Sequence, residues 1–242
     1  METQVFTEHF DLENTHWWFR SKRTMVLSLL RRYGALQGPG LDVGCGAGGT
    51  LEVLARQGSW VGVDADPTAL GFSRRRGLPR LAASGAEALP FREGAFAACL
   101  CLDLLYHRNV GSESAALGEC HRVLRPGGLL LVTDSAFKWL RSAHDDAVHG
   151  VRRYTRGELV AHARAAGFTP VLASYAYCLV FPVVAAVRLA RRGSAGGSDV
   201  YPLPRPINTA LLGVQAVERA LLRVGPLPFG SSVVLVARKA AA

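Results

Sequence analysis

The run Leu41-Asp42-Val43-Gly44-Cys45-Gly46-Ala47-Gly48-Gly49 carries a short apolar strand into a glycine-rich turn, and the apolar spacing of residues 50–57 predicts a helix directly after it. Glycines tolerate the backbone angles of such a turn, and without side chains they let amide N–H groups at a helix N-terminus come close to a ligand. Gly44, Gly46 and Gly49 also satisfy the G-x-G-x-x-G spacing of dinucleotide-binding turns. Asp64 stands 20 positions beyond Gly44, after the apolar residues 60–63, where a carboxylate can accept from both hydroxyls of an adenosine ribose. Asp66 is the better cap for the helix that opens at Pro67, which leaves Asp64 for a ligand. The turn alone does not choose among adenosine-containing cofactors.

Working outward, Met25, Val26, Leu29 and Leu30 fall at helical spacing within residues 24–33, with basic residues opposite and Gly34 as the stop. Beyond the turn, strands are expected over residues 60–63, 81–83, 98–102, 129–133, 170–177 and 232–237. Helices are expected over 67–76, 111–124, 155–166, 180–190 and 207–224. Thr155 and Glu158 have the spacing of a capping box, and Pro126-Gly127-Gly128 ends one helix before the strand at 129. This alternation predicts an α/β fold, a Rossmann-like doubly wound, mostly parallel seven-stranded sheet with helices on both faces. Ligands of such sheets bind beyond the carboxyl ends of the strands, which directs attention to Gly44, Asp64, Asp103 and Asp134.

The chain has 242 residues, 49% of them hydrophobic and 19% charged, so it is globular in composition and fits one domain over 1–242. The Gly/Ser-rich residues 192–199 have too little chain after them for a second core and read as a loop inside an insertion. The formal net charge of +9 comes without a compact basic block interleaved with aromatics, so no nucleic-acid partner is expected. Cys45, Cys99, Cys101, Cys120 and Cys178 form neither a C-x-x-C pair nor a ligand cluster with histidine, so no metal is expected and a reducing, cytoplasmic setting fits. Residues 1–11 have no apolar run of the secretory type, and residues 178–187 are too short to span a bilayer.

The run LDVGCGAGG, followed by VGVDADP (62–67 with its preceding Val61), EALPF (87–91) and HRVLRPGGLLLV (121–132), resembles the ordered motifs of the class I S-adenosylmethionine-dependent methyltransferases, in the branch called type 11. HWWF at residues 16–19, the stretch from Trp139 to Thr155, AAGF at 165–168 and LPFG at 227–230 resemble a narrower subgroup. The resemblance implies that S-adenosylmethionine lies with its methionine part against Gly44, Cys45, Gly46 and Gly48 and its ribose on Asp64 beside Ala65. It implies that Ala86 and Glu87 border the adenine, that Cys101 and Leu102 lie beside the sulfonium, and that Trp17, Trp18 and Phe19 belong to a lid over the cofactor, where Arg20 or Arg23 is available to pair with the cofactor carboxylate. Gly85 and Ala97 stand where relatives commonly have acids.

The implied reaction is direct in-line methyl transfer to a small-molecule acceptor. It needs alignment and, for some acceptors, removal of a proton. His107, a few residues beyond the 98–102 strand, titrates in the useful range and is the first candidate for a base. His144, Asp145, His149, Arg152, Arg153 and Tyr154 offer either an acceptor site with an arginine clamp or a salt-bridged loop, and Tyr106 is a further candidate. Residues 1–35 are expected to form an N-terminal helical lid and residues 178–226 a helical insertion before the last strand. That insertion, with Arg188, Arg191, Arg192, Arg219 and Arg223, reads as a cap over the acceptor, a subunit interface in a monomer-or-homodimer protein, or an interfacial helix in peripheral lipid contact. A nicotinamide-dependent oxidoreductase and a non-catalytic cofactor-binding module are the alternative functions.

Overall fold

The computed structural model describes residue 7, residues 10–190 and residues 200–241. The elements run α1 (Trp17–Arg32), β1 (Gly40–Val43), α2 (Gly49–Ala55), β2 (Trp60–Asp64), α3 (Pro67–Arg75), β3 (Leu81–Ala83), β4 (Phe96–Leu102), α4 (Glu113–Val123) and β5 (Leu124–Ser135). A short α5 (Ala143–Ala147) follows, then α6 (Arg156–Ala165), β6 (Phe168–Ala176), α7 (Phe181–Ala190), α8 (Arg205–Val224) and β7 (Ser232–Lys239). One seven-stranded sheet has the order β3-β2-β1-β4-β5-β7-β6. The pairs from β3 to β5 are parallel, while β7 runs antiparallel to both β5 and β6.

Period-two alternation along the strands builds the two faces. Leu41, Val43, Cys99 and Leu130 enter the apolar layer that also holds Leu117 and Leu159 of α4 and α6. Ala98, Leu100, Leu129 and Leu131 enter the opposite layer, with Leu29 and Leu30 of α1, Leu54 of α2 and Leu222 of α8. Such two-sided burial is why these strands read as almost continuous apolar runs. The capping box expected at Thr155 is formed, with Glu158 N–H donating to Thr155 Oγ1 at 3.2 Å and Thr155 N–H donating to Glu158 Oε2 at 2.7 Å.

The chain order reverses between β1 and β4, its neighbour on the side away from β2. The crevice beyond the carboxyl ends of those two strands is the place this topology reserves for a ligand. One expected boundary is corrected by the structure: the helix expected over residues 24–33 opens at Trp17, not at residue 24, so the aromatic cluster is its first turn and not a lead-in. His16 supplies the cap, accepting the Trp18 N–H at 3.3 Å, and Tyr177 packs edge-on against Trp17 and stacks on Trp18. The first residues of the expected lid, the 192–199 loop, Arg191 and Arg192 lie outside the described residues.

Candidate active site

The glycine turn is built of three left-handed positions, Gly44 at φ 72°, Gly46 at φ 56° and Gly48 at φ 82°. The N–H groups of Gly44 and Cys45 donate to Val63 O at 2.8 and 3.0 Å, which pins the turn to the end of β2. A methyl added at Gly44 would come within 2.7 Å of Leu104, whereas at Gly46 nothing lies within 4 Å. Gly46 therefore faces open space, and its conformation alone asks for glycine. Gly46→Ala is expected to cost only about 1–2 kcal/mol of stability through strain. The methyl would project into the cavity, so a ligand seated against this turn should bind the folded variant more weakly than its melting temperature suggests, which calorimetry measures.

Asp64 lies beside this turn. Its Oδ2 accepts the Gly46 N–H and its Oδ1 the Asp66 N–H, both at 2.9 Å. Burial raises its carboxyl above the ordinary value, and the two amides hold it down. Each carboxylate oxygen keeps a further acceptor direction, so two hydroxyls can still be received. Asp66 caps α3, accepting the Thr68 N–H at 2.8 Å.

Asp42 was not among the expected site residues. It sits in the middle of β1 with 2% of its surface exposed, and it opens onto the cavity floor beside Gly44. Burial, with Asp64 and Glu13 nearby, pushes its carboxyl up to about 7. A carboxylate surrounded by other carboxylates in a low-dielectric site favours a cationic ligand. A charged residue inside an otherwise apolar, fully buried strand was the available signal.

At the end of β4, Asp103 takes a left-handed conformation at φ 52° and pairs with Lys22 of α1. Thr133 Oγ1 donates to Asp103 Oδ1 at 3.2 Å, and the Lys22 ammonium lies 3.4 Å from the centre of the Trp18 ring. Burial pushes the Lys22 ammonium down to about 7 against the pull of Asp134 and Glu13. Lys22 reads in sequence as one of several basic residues on a solvated helix side, which is why it was not expected here.

Gly44, Gly46, Asp42, Lys22 and Asp103 line a cavity of about 650 Å³; Asp64 is not among its lining residues and stands behind the turn, bonded to the Gly46 N–H. Its lower wall is polar, from Gly44, Cys45, Gly46, Asp42, Lys22 and Asp103. Its upper wall is apolar, from α7 and α8. That volume lies within the range of small-molecule sites. Trp17, Leu102, Tyr106, His144, Asp145 and Arg153 also line it, as does Arg188.

Other expected residues lie elsewhere. Arg20 is exposed on α1, while Arg23 is turned inward and donates to Asn14 Oδ1 at 3.0 Å and Gly49 O at 3.1 Å. The Cys101 side chain points into the core, its sulfur 3.5 Å from that of Cys120, so only its backbone faces the strand end. Cys99, Cys101 and Cys120 bring their sulfurs within 4.8 Å of one another, a grouping that linear spacing did not reveal. Ala65 is exposed, Ala86 is buried in the core, and Glu87 accepts the Ser112 N–H at the start of α4. Gly48 is the N-cap of α2, with Ser73 and Leu78 against the place of a side chain.

His107, His149 and Tyr154 are not among the residues lining the cavity. Burial pushes His107 down to about 4, its Nδ1 accepts the Asn109 N–H at 3.2 Å, and its ring lies 5.8 Å from that of His149. The Tyr154 hydroxyl is bonded to Leu105 O at 3.0 Å and Glu113 at 3.1 Å. The two arginines expected to clamp an anion hold the loop itself. Arg153 grips Asp145 at 2.7 and 2.9 Å, and Arg152 donates to Val110 O at 2.8 Å and pairs with Glu113 at 3.0 Å. Of the histidines and tyrosines expected to serve proton transfer, His144 and Tyr106 line this cavity, and His107, His149 and Tyr154 do not.

Residues 41–132 match the family model described as a methyltransferase domain. They belong to the class I S-adenosylmethionine-dependent methyltransferases, type 11 branch. The chain is 36% identical over 101 residues to a ubiquinone biosynthesis O-methyltransferase of Xylella fastidiosa, covering 38% of this chain and 40% of that protein. A demethylmenaquinone methyltransferase of Mycobacterium bovis is 35% identical over 136 residues, covering 52% of this chain and 53% of its own. The chain thus spans about half or less of the length of these relatives. The crystal structure of a possible histamine N-methyltransferase from Thermotoga maritima superposes with a TM-score of 0.61 at 19% identity, covering 98% of this chain and 95% of that one, and it shares the fold. The cradle fits the family's cofactor: an open glycine turn, a carboxylate with acceptor directions for two hydroxyls, and a buried acid suited to an amino-acid cation.

Proposed function

We propose that the protein transfers a methyl group from S-adenosylmethionine to a small molecule with an extended apolar body, such as the quinone-type compounds for which two relatives are named. When bound, S-adenosylmethionine supplies a methyl group activated on a sulfonium sulfur for direct in-line transfer. The observation that carries the reading is one cavity whose polar end holds the glycine turn, Asp42 and Asp103, and whose other end is walled by Leu179, Val184, Leu211 and Val214. In this reading Asp64 receives the ribose, Asp42 holds the ammonium, and Trp17 and Trp18 close the cavity as the lid. Lys22 and Asp103 fix the floor where the acceptor and methyl meet. His144, on the wall, is the residue placed to take a proton from the acceptor.

Incubation with labelled S-adenosylmethionine and a panel of acceptors of increasing apolar length should release S-adenosylhomocysteine, with kcat/KM rising with tail length. Cofactor binding without S-adenosylhomocysteine on any acceptor would instead identify a binding module. Thermal protection by a nicotinamide dinucleotide in place of S-adenosylmethionine would identify an oxidoreductase.

Asp42 gives this reading a pH dependence. Its folded value near 7 lies above the ordinary carboxylate value, so without ligand the folded state binds the extra proton. The contribution of Asp42 to stability therefore falls as pH rises from about 4 through about 7. A cationic ligand needs the ionised form, so affinity for S-adenosylmethionine should rise about tenfold per pH unit up to that value and level off above it. Calorimetry from pH 5.5 to 8.5 measures this, and Asp42→Asn should flatten the profile.

A further inference from the structure

We propose that the outer faces of α7 and α8 seat the mouth of the cavity on an anionic lipid surface, through which the apolar acceptor enters. This inference rests on the acceptor class proposed above.

Helix α8 turns two polar residues inward beside Leu222 and leaves several large apolar ones exposed. Gln215 and Glu218 are buried, while Ile207, Val217, Leu221 and Val224 are 49%, 56%, 44% and 90% exposed. The buried acid has a defined role: Glu218 Oε2 accepts the Leu179 N–H at 3.0 Å and Oε1 accepts the Tyr177 N–H, holding the segment between β6 and α7. At 3.6 residues per turn, Ile207, Ala210, Val214, Val217, Leu221 and Val224 share one face, and no charged residue falls among them. Arg205 and Arg223 are 18 positions apart, five whole turns, and form a line on the exposed surface of the helix about 100° around from the nearest residue of that face, with Thr209, Gly213, Ala216 and Ala220 between them.

The stripe continues into the cavity rim. Val183 and Val187 of α7, with Tyr201 and Ile207, both line the cavity and stand 41–67% exposed. An acceptor leaving this face would pass from one apolar environment to another without crossing water.

Charge selects the occupant. Residues 178–226 contain six arginines against two acids, and one of those acids, Glu218, is buried. An isologous contact with a second copy through this surface would set one basic segment against another, whereas anionic headgroups complement it. Among the described residues no helix is long and apolar enough to cross a membrane, so contact is in the interface plane.

The test is co-sedimentation of the full chain at low salt with vesicles of phosphatidylglycerol and of phosphatidylcholine. Binding to the anionic vesicles alone is expected. The double substitution V217D/L221D, at exposed positions, should lower partitioning about tenfold or more. R205E/R223E should lower it comparably, and both variants should keep the wild-type circular dichroism and affinity for S-adenosylmethionine. Absence of binding to phosphatidylglycerol, or binding unchanged in both variants, overturns the proposal. So does a wild-type dimer in analytical ultracentrifugation that V217D/L221D dissociates, because the face would then be a subunit interface. Failure of the methyl-transfer reading is seen separately, as absent cofactor binding with vesicle binding intact.

Discussion

Asp64→Ala should weaken S-adenosylmethionine binding by about a hundredfold or more. Hydrogen bonds to a charged acceptor contribute roughly 1.5–3 kcal/mol each, and two ribose hydroxyls would lose theirs at once. The same substitution removes the carboxylate that fixes the N–H groups of Gly46 and Asp66 at 2.9 Å, so the turn loses its preorganised shape as well as its ribose contact. Asp64→Asn keeps one carbonyl acceptor and should fall between the wild type and the alanine variant. Calorimetry with S-adenosylhomocysteine gives the affinities, and the melting temperature shows whether the fold survives. Wild-type affinity in a folded Asp64→Ala protein would remove this carboxylate from the site.

The largest loss of stability is expected at Arg153. Arg153 and Asp145 are each only 4% exposed at the side chain, and Arg153 also donates to Ala136 O at 2.8 Å. Removing one member of such a buried pair typically costs about 3–5 kcal/mol, because the other charge stays behind without its partner. Arg153→Ala should therefore lie close to the limit of folding, and Arg153→Met combined with Asp145→Leu should recover much of the loss. The acid limb gives an independent check. Burial pushes Asp145 up, but hydrogen bonding and attraction from Arg153 outweigh it and leave the carboxyl below its ordinary value. A lowered value contributes stability that is present above about pH 4 and lost as pH falls through the folded value. In Arg153→Ala the carboxyl keeps only the Ser142 N–H at 2.9 Å and Arg188 at 3.9 Å against its burial, so its value should shift upward and mild acid should weaken the variant less than it weakens the wild type. Urea midpoints between pH 3 and 7 would show a shallower acid limb in the variant.

The parallel sheet was legible because its signals are local: apolar runs of strand length, glycine at the turn after β1, and a capping box at Thr155. The end of α1 was legible for the same reason. Its start was not, because Trp17, Trp18 and Phe19 are poor helix formers and only packing against Tyr177, remote in sequence, makes them the first turn. The site divides along the same line. Gly44, Gly46 and Asp64 are found by spacing along one stretch of chain. Lys22 and Asp103 are 81 positions apart and meet only when α1 crosses the end of β4. His107 looked suitable from its distance after β4, yet the chain turns there and carries the ring toward His149, away from the cavity. The polar residues of α8 mark the same limit, since Glu218 faces inward to bind a backbone that no helical periodicity can foresee.

Asn208, at the start of α8, accepts the Trp17 N–H at 2.6 Å and donates to Thr15 O. One amide side chain thus fastens the N-terminus of α1 to the helix that walls the cavity, so a displacement of either element must break this clasp or carry the other element with it.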